Sequence, residues 1–105
     1  MKRLLSVVSL SVLLPAVSIA AIANEQLMEK KGCISCHRVD QKLIGPAFKA
    51  IAAKYKGQDV RDHLFEKVRE GGEGVWGDMP MPPNEPGKVS DDDLNTIIDW
   101  ILHLQ

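Results

Sequence analysis

Residues 33–37 read Cys-Ile-Ser-Cys-His, and this pentapeptide constrains the fold more than any other stretch of the chain. It holds both cysteines of a 105-residue sequence, too few for a disulfide framework. Cys33 and Cys36 stand about one helical turn apart, so both sulfurs can face one side. His37 follows directly and is carried over that same side. Two thiols and an imidazole in this order form the attachment motif of a c-type haem. The sulfurs make thioethers to the two vinyl groups of one porphyrin, and the histidine is brought to the iron.

Other readings of the same residues account for less. A thioredoxin-like redox pair needs a βαβ context, of which the sequence carries no sign. A zinc site needs four ligands; His63 and His103 are available, but a second cysteine pair is not. A structural disulfide leaves the adjoining histidine unexplained.

The chain opens with Lys2 and Arg3, then runs through the apolar segment LLSVVSLSVLLPAVSIAAIA to Ala21-Ile22-Ala23. A basic start, an apolar stretch and a small-residue end describe a cleaved secretory signal peptide. Residues 1–23 are therefore expected to leave, with a second candidate cut after Ala20. The alternative is an uncleaved membrane anchor, for which the apolar run is long enough. Cleavage after Ala23 leaves residues 24–105, a length at which side chains alone build a marginal core. A covalently held apolar plate supplies the missing core, and export suits an attachment that bacteria make outside the cytoplasm.

The mature segment carries 11 basic and 14 acidic side chains, a net charge of −3. That balance speaks against nucleic acid as a partner. The charge is also uneven: residues 24–60 hold seven basic and four acidic groups, and residues 61–105 hold four and ten. Such a dipole can orient the molecule on a partner.

Four helices are predicted and no strand. The first spans about Glu25 to Lys31, with Asn24 as N-cap and Gly32 at its end. The second follows Gly45-Pro46, carries Ala47, Ala50, Ile51 and Tyr55 at helical spacing, and stops at Gly57. The third opens at Asp59 as N-cap and runs to about Glu70 on the stripe Val60, Leu64, Phe65 and Val68. The fourth is capped by Ser90, has Asp91, Asp92 and Asp93 in its first turn, and repeats Leu94, Ile97, Ile98, Ile101 and Leu102. His63 and His103 fall on helices three and four and are expected at the surface.

Residues 71–89 form a Gly- and Pro-rich loop that nonetheless holds Trp76, Met79 and Met81. A loop of this length in a small domain is usually functional. An iron held by His37 has a second face, and a methionine, a second histidine, a water or an open position there would each mean a different function. A thioether raises the reduction potential. Pro80 and Pro82 push the methionines before them toward extended geometry, so the loop is ordered in advance.

Residues 24–105 resemble the small bacterial class I cytochromes c of the cytochrome c-551 type. The resemblance rests on KGCISCH, GPAFKAIAAKYKGQ, GVWGDMPMPPN and VSDDDLNTIIDWIL. It implies an all-α, small cytochrome c fold: about four short helices wrapped around one covalently attached haem c. It implies thioethers at Cys33 and Cys36, His37 as proximal ligand and Met81 as distal ligand. The Pro46 carbonyl would accept from the His37 ring, Asn84 would hydrogen-bond near the methionine sulfur, and Trp76 would donate to a haem propionate. Lys67 would stand near that propionate, Gly32 would let the first and last helices approach, and Trp100 would lie at their contact, with Met28 in place of the family's aromatic residue. Met79 would cover the crevice rim.

The same resemblance implies a monomeric periplasmic electron carrier, not an enzyme, with no small-molecule substrate. Its donor would be a cytochrome bc complex and its acceptor a nitrite reductase, a peroxidase or a terminal oxidase. The rival function is a haem-based gas-binding sensor or weak peroxidase with an open distal site.

Overall fold

The structure, a computed structural model, describes residues 7–16 and 19–104, except for the side chains of residues 20 and 21. Lys2 and Arg3 of the expected leader lie outside the described residues. Residues 7–16 have no regular structure and their apolar side chains are exposed, Leu13 at 95 %. Among the described residues no helix is long and apolar enough to cross a membrane.

Four α-helices follow: α1 (Ile19–Lys30), α2 (Phe48–Lys54), α3 (Arg61–Glu70) and α4 (Asp91–Leu102). A 3₁₀ turn at Cys33–Ser35 lies between α1 and α2. The helical expectation stands, with one correction: the segment between α3 and α4 folds back as an antiparallel hairpin of β1 (Gly72–Gly74) and β2 (Gly77–Met81). Its register pairs Gly72 with Met81 and Gly74 with Gly77, with an irregularity between them. Glycines hide the alternation by which strands are recognised, and Pro80 in β2 and Pro82 just after it mimic loop composition. Yet those prolines favour extended backbone in the residue before each of them.

Two helix starts also differ from expectation. α1 begins six residues before Glu25, because the alanine-rich segment before Asn24 is itself a good helix former. Asn24 is therefore inside the helix in the full chain. α3 begins at Arg61 with Val60 at the cap position and no side-chain cap, so Asp59 sits one residue too early to serve.

α4 follows its sequence closely. The Ser90 side chain accepts from the Asp93 backbone N–H at 3.2 Å, a cap that contributes on the order of 1 kcal/mol. Three aspartates in the first turn face the positive end of the helix. The stripe Leu94, Ile97, Ile98 and Ile101 is buried and joins Met28, Phe48 and Val89 in one core. Each of the largest residues there contributes roughly 1.5–3 kcal/mol by leaving water. α1 packs on α4 through fully buried Met28, which takes the place the resemblance reserves for an aromatic ring. Lys31 pairs with Asp93 at 3.4 Å across the same contact.

Gly32 has a different reason from the one expected. A Cβ there would meet nothing closer than 3.9 Å, so close helix approach does not require glycine. The requirement is conformational: its φ of +82° is left-handed, and it ends α1 and turns the chain into the 3₁₀ segment.

Candidate functional site

Cys33 opens that 3₁₀ turn, Cys36 caps its end and His37 follows directly. Both Cys36 N–H and His37 N–H bond to the Cys33 carbonyl, at 3.2 and 3.0 Å. In 3₁₀ geometry residues three apart eclipse, which puts both cysteines on one side. They are free thiols, each half-buried. Burial pushes the Cys33 thiol up, and the nearby Lys88 ammonium partly opposes this.

His37 is nearly buried, and three neighbours fix its ring. Its Nδ1 lies 2.7 Å from the Pro46 carbonyl oxygen. A carbonyl only accepts, so Nδ1 carries the proton and Nε2 keeps a free lone pair. Phe48 stacks on the ring at 5.2 Å between centroids and 20° between planes. Trp100 in turn packs edge-on against Phe48 at 5.9 Å. Behind the imidazole is Gly45, where a Cβ would come within 2.5 Å of the ring. The stretch after the motif is held too: Gly45 N–H bonds to the Cys36 carbonyl, and Phe48 N–H to that of Arg38.

A consequence is testable here. Gly45→Ala is expected to displace the His37 ring and break its bond to Pro46, because neither the ring nor the tethered backbone can yield by an ångström. The absorption spectrum of the purified variant should show altered axial ligation and a lower yield of holo-protein. An unchanged spectrum would mean that the Gly45 loop relaxes freely.

Cys33, Cys36 and His37 open onto a crevice of about 420 Å³, within the range of small-molecule and cofactor sites. Ile51 of α2 and Tyr55 just after it, Leu64 and Val68 of α3, and Leu94, Ile97, Ile98 and Ile101 of α4 line it with apolar surface. The hairpin closes it with Val75, Trp76, Met79 and Met81. Met81 is half-buried and Met79 is 66 % exposed. Trp76 is 40 % exposed at the hairpin turn, beneath the Lys54 ammonium at 5.6 Å. Lys67 also lines the crevice, beside Gly72. His63 reaches the rim as an exposed residue against Tyr55, and His103 is exposed at the end of α4. Among the described residues no three His, Cys, Asp or Glu side chains gather as a metal cluster.

Asn84 is placed differently from the expectation drawn from the resemblance. Its side-chain amide donates to the Pro82 carbonyl at 3.1 Å and the Val68 carbonyl at 3.3 Å. Both N–H donors are spent on backbone rather than on sulfur. Two other residues were not legible as site residues. Phe48 lies two positions after Pro46, the one signal that tied it to the motif. The other is Arg69, considered below.

The donor set fits a covalently tethered haem. Two thiols on one side of a turn, an imidazole with a free Nε2 and an apolar crevice with a methionine in its wall meet the needs of that group. Fold and site thus define a small monohaem c-type protein. Residues 22–105 match the family described as Cytochrome c. Cytochrome c-552 of Nitrosomonas europaea is 48 % identical over 86 residues, 81 % of this chain and 82 % of that one. Cytochrome c-551 of Pseudomonas aeruginosa is 46 % identical over 79 residues, 74 % and 73 % of the two chains. The crystal structure of wild-type Nitrosomonas europaea cytochrome c552 superposes with a TM-score of 0.71 at 48 % identity, covering 77 % of this chain and 99 % of that one. The chain belongs to the cytochrome c family. It is an electron-transfer protein rather than an enzyme, carries one haem c through its cysteine pair, and works with redox proteins.

Proposed function

We propose that the protein is a periplasmic one-electron carrier whose haem iron is held by His37 and Met81, with thioethers at Cys33 and Cys36. The observation that carries this is the bond from His37 Nδ1 to the Pro46 carbonyl, which leaves the Nε2 lone pair free to bind a metal, in a residue that lines the same crevice as Met81. The haem supplies one-electron exchange between ferrous and ferric iron. The chain's own residues do the rest. Pro46, Phe48 and Gly45 keep the imidazole in one tautomer and one orientation, so little rearranges when charge changes. The apolar walls exclude water and favour the less charged oxidation state. Trp76 and Lys67 stand at the crevice and supply donors for propionate groups.

Residues 1–23 serve as the leader in this reading. Support comes from the exposed, unpacked side chains of residues 7–16 and from a core that begins only at Met28. A cytochrome bc complex as donor, and a nitrite reductase, peroxidase or terminal oxidase as acceptor, suit such a carrier.

The test is carbon monoxide binding to the ferrous holo-protein at neutral pH. An iron with both axial positions filled is expected to leave the spectrum unchanged. Ready binding would show an open distal site and favour a gas sensor or peroxidase instead.

A further inference from the structure

The segment after Met81 has no regular structure until α4; Val89 at its far end is buried in the core, and its hydrogen bonds to the rest of the fold run to the C-terminal end of α3. The last carbonyls of a helix lack partners within it. Here Asn84 provides them: its backbone N–H bonds to the Val68 and Arg69 carbonyls at 3.1 and 3.3 Å, and its side chain to Val68. Arg69 then grips the same segment from the other side. One guanidinium nitrogen donates to the Asn84 carbonyl at 3.1 Å and the Val89 carbonyl at 2.6 Å. The other donates to Asp91 Oδ1 at 2.6 Å, at the first residue of α4. The side chain is only 14 % exposed, and its planar head lies 5.0 Å from the Phe65 ring centroid. Such a fork is specific to arginine, since a lysine ammonium cannot hold two carbonyls and a carboxylate in one plane.

We infer that Arg69 is the positioning residue for the distal methionine: it clamps both ends of the Asn84–Val89 segment and so fixes where the chain that carries Met81 leaves the hairpin. This rests on Met81 as the iron ligand. The clamp acts at a distance of three residues from Met81, and Arg69 is not among the residues that line the crevice. The prolines at 82 and 83 make that short span stiff enough to transmit it. The α3 end and the ligand segment also touch directly, because a Cβ at Gly71 would fall 2.3 Å from the Met81 carbonyl oxygen. A methionine–iron bond is weak, so holding the sulfur in place sets how readily another ligand displaces it.

The experiment is imidazole titration of the ferric holo-protein, followed by loss of the sulfur-to-iron charge-transfer band. It is run at a temperature where far-UV circular dichroism shows each variant fully helical. Arg69→Met is expected to bind imidazole about tenfold more tightly than the wild type, a change worth ~1.4 kcal/mol. Arg69→Lys, which keeps the charge and reaches one carbonyl, should fall between them, and it serves alone if Arg69→Met does not fold. Asp91→Asn, which leaves both carbonyl contacts in place, should titrate like the wild type. Equal imidazole affinity in folded Arg69 variants, even with a lowered unfolding temperature, would reduce Arg69 to a stabilising residue and overturn the inference. A wild type with no charge-transfer band would instead remove Met81 as ligand, and the inference with it.

Discussion

Met81→Ala is expected to abolish the ferric sulfur-to-iron charge-transfer band completely, and Met79→Ala to leave it intact. The two methionines stand two apart on β2, so the period of a strand puts both on one face, and the crevice touches both. Their surroundings separate them. Met81 ends β2 beside Gly71, half-buried, three residues from the clamp at Asn84. Met79 is 66 % exposed and nearer the turn of the hairpin, where among the described residues no backbone hydrogen bond from outside the hairpin holds it. An axial bond that is weak on its own needs a ligand whose freedom has already been lost. Met81→Ala should also lower the reduction potential, because the soft thioether favours ferrous iron. The opposite result, band lost with Met79→Ala and kept with Met81→Ala, would mean that the hairpin pairs two residues out of register.

Removal of the haem is expected to abolish most of the far-UV helical signal. The protein core is lopsided. Met28, Phe48, Val89, Leu94, Ile97, Ile98 and Ile101 come from α1, α2, α4 and the segment before α4. α3 contributes no fully buried residue, and its Leu64 and Val68 face the crevice. Four α4 residues that complete the core also line that crevice. With the plate gone, water reaches both sides of what remains. A domain of this size has a net stability of about 5–15 kcal/mol, so the loss of one apolar wall is decisive. Replacing both Cys33 and Cys36 by alanine should approach the same state, since haem would then be retained only by reversible contacts. Native helicity in the haem-free chain would mean that α1 and α4 hold each other without it.

The sequence was most legible where one physical signal dominated. The pentapeptide at 33–37 announced its chemistry by spacing. α4 was readable from end to end because cap, acidic first turn and apolar stripe agree, from Ser90 to Leu102. Legibility failed where signals conflict or depend on distant partners. The hairpin was hidden by four glycines in eight residues around Trp76, and Pro80 within β2 argued against a strand. Asp59 looked like a cap, but cap identity depends on a turn that begins one residue later. Gly32 was correctly read as a helix end, while its expected packing role is not required by the space around it. Arg69 could not be found at all from local pattern, and Asn84 was found through its motif but with other partners than Val68 and Pro82. Arg69 reads as an ordinary base in a last helical turn, and its partners lie 15 to 22 residues away.

The continuous course of α1 through Ala23 bears on the order of events in the cell. A peptidase cuts extended backbone, and the bond after Ala23 lies in the middle of the helix Ile19–Lys30. Under the proposed processing, the leader must therefore be removed before that helix closes, or the helix must first unwind there. A cut after Ala23 would make Asn24 the first residue, at the cap position the sequence offers. Met28, the residue that seats α1 on α4, lies only five positions beyond the cut. Under that processing, the helix that Met28 seats on α4 has to be open at Ala23 when the leader is released.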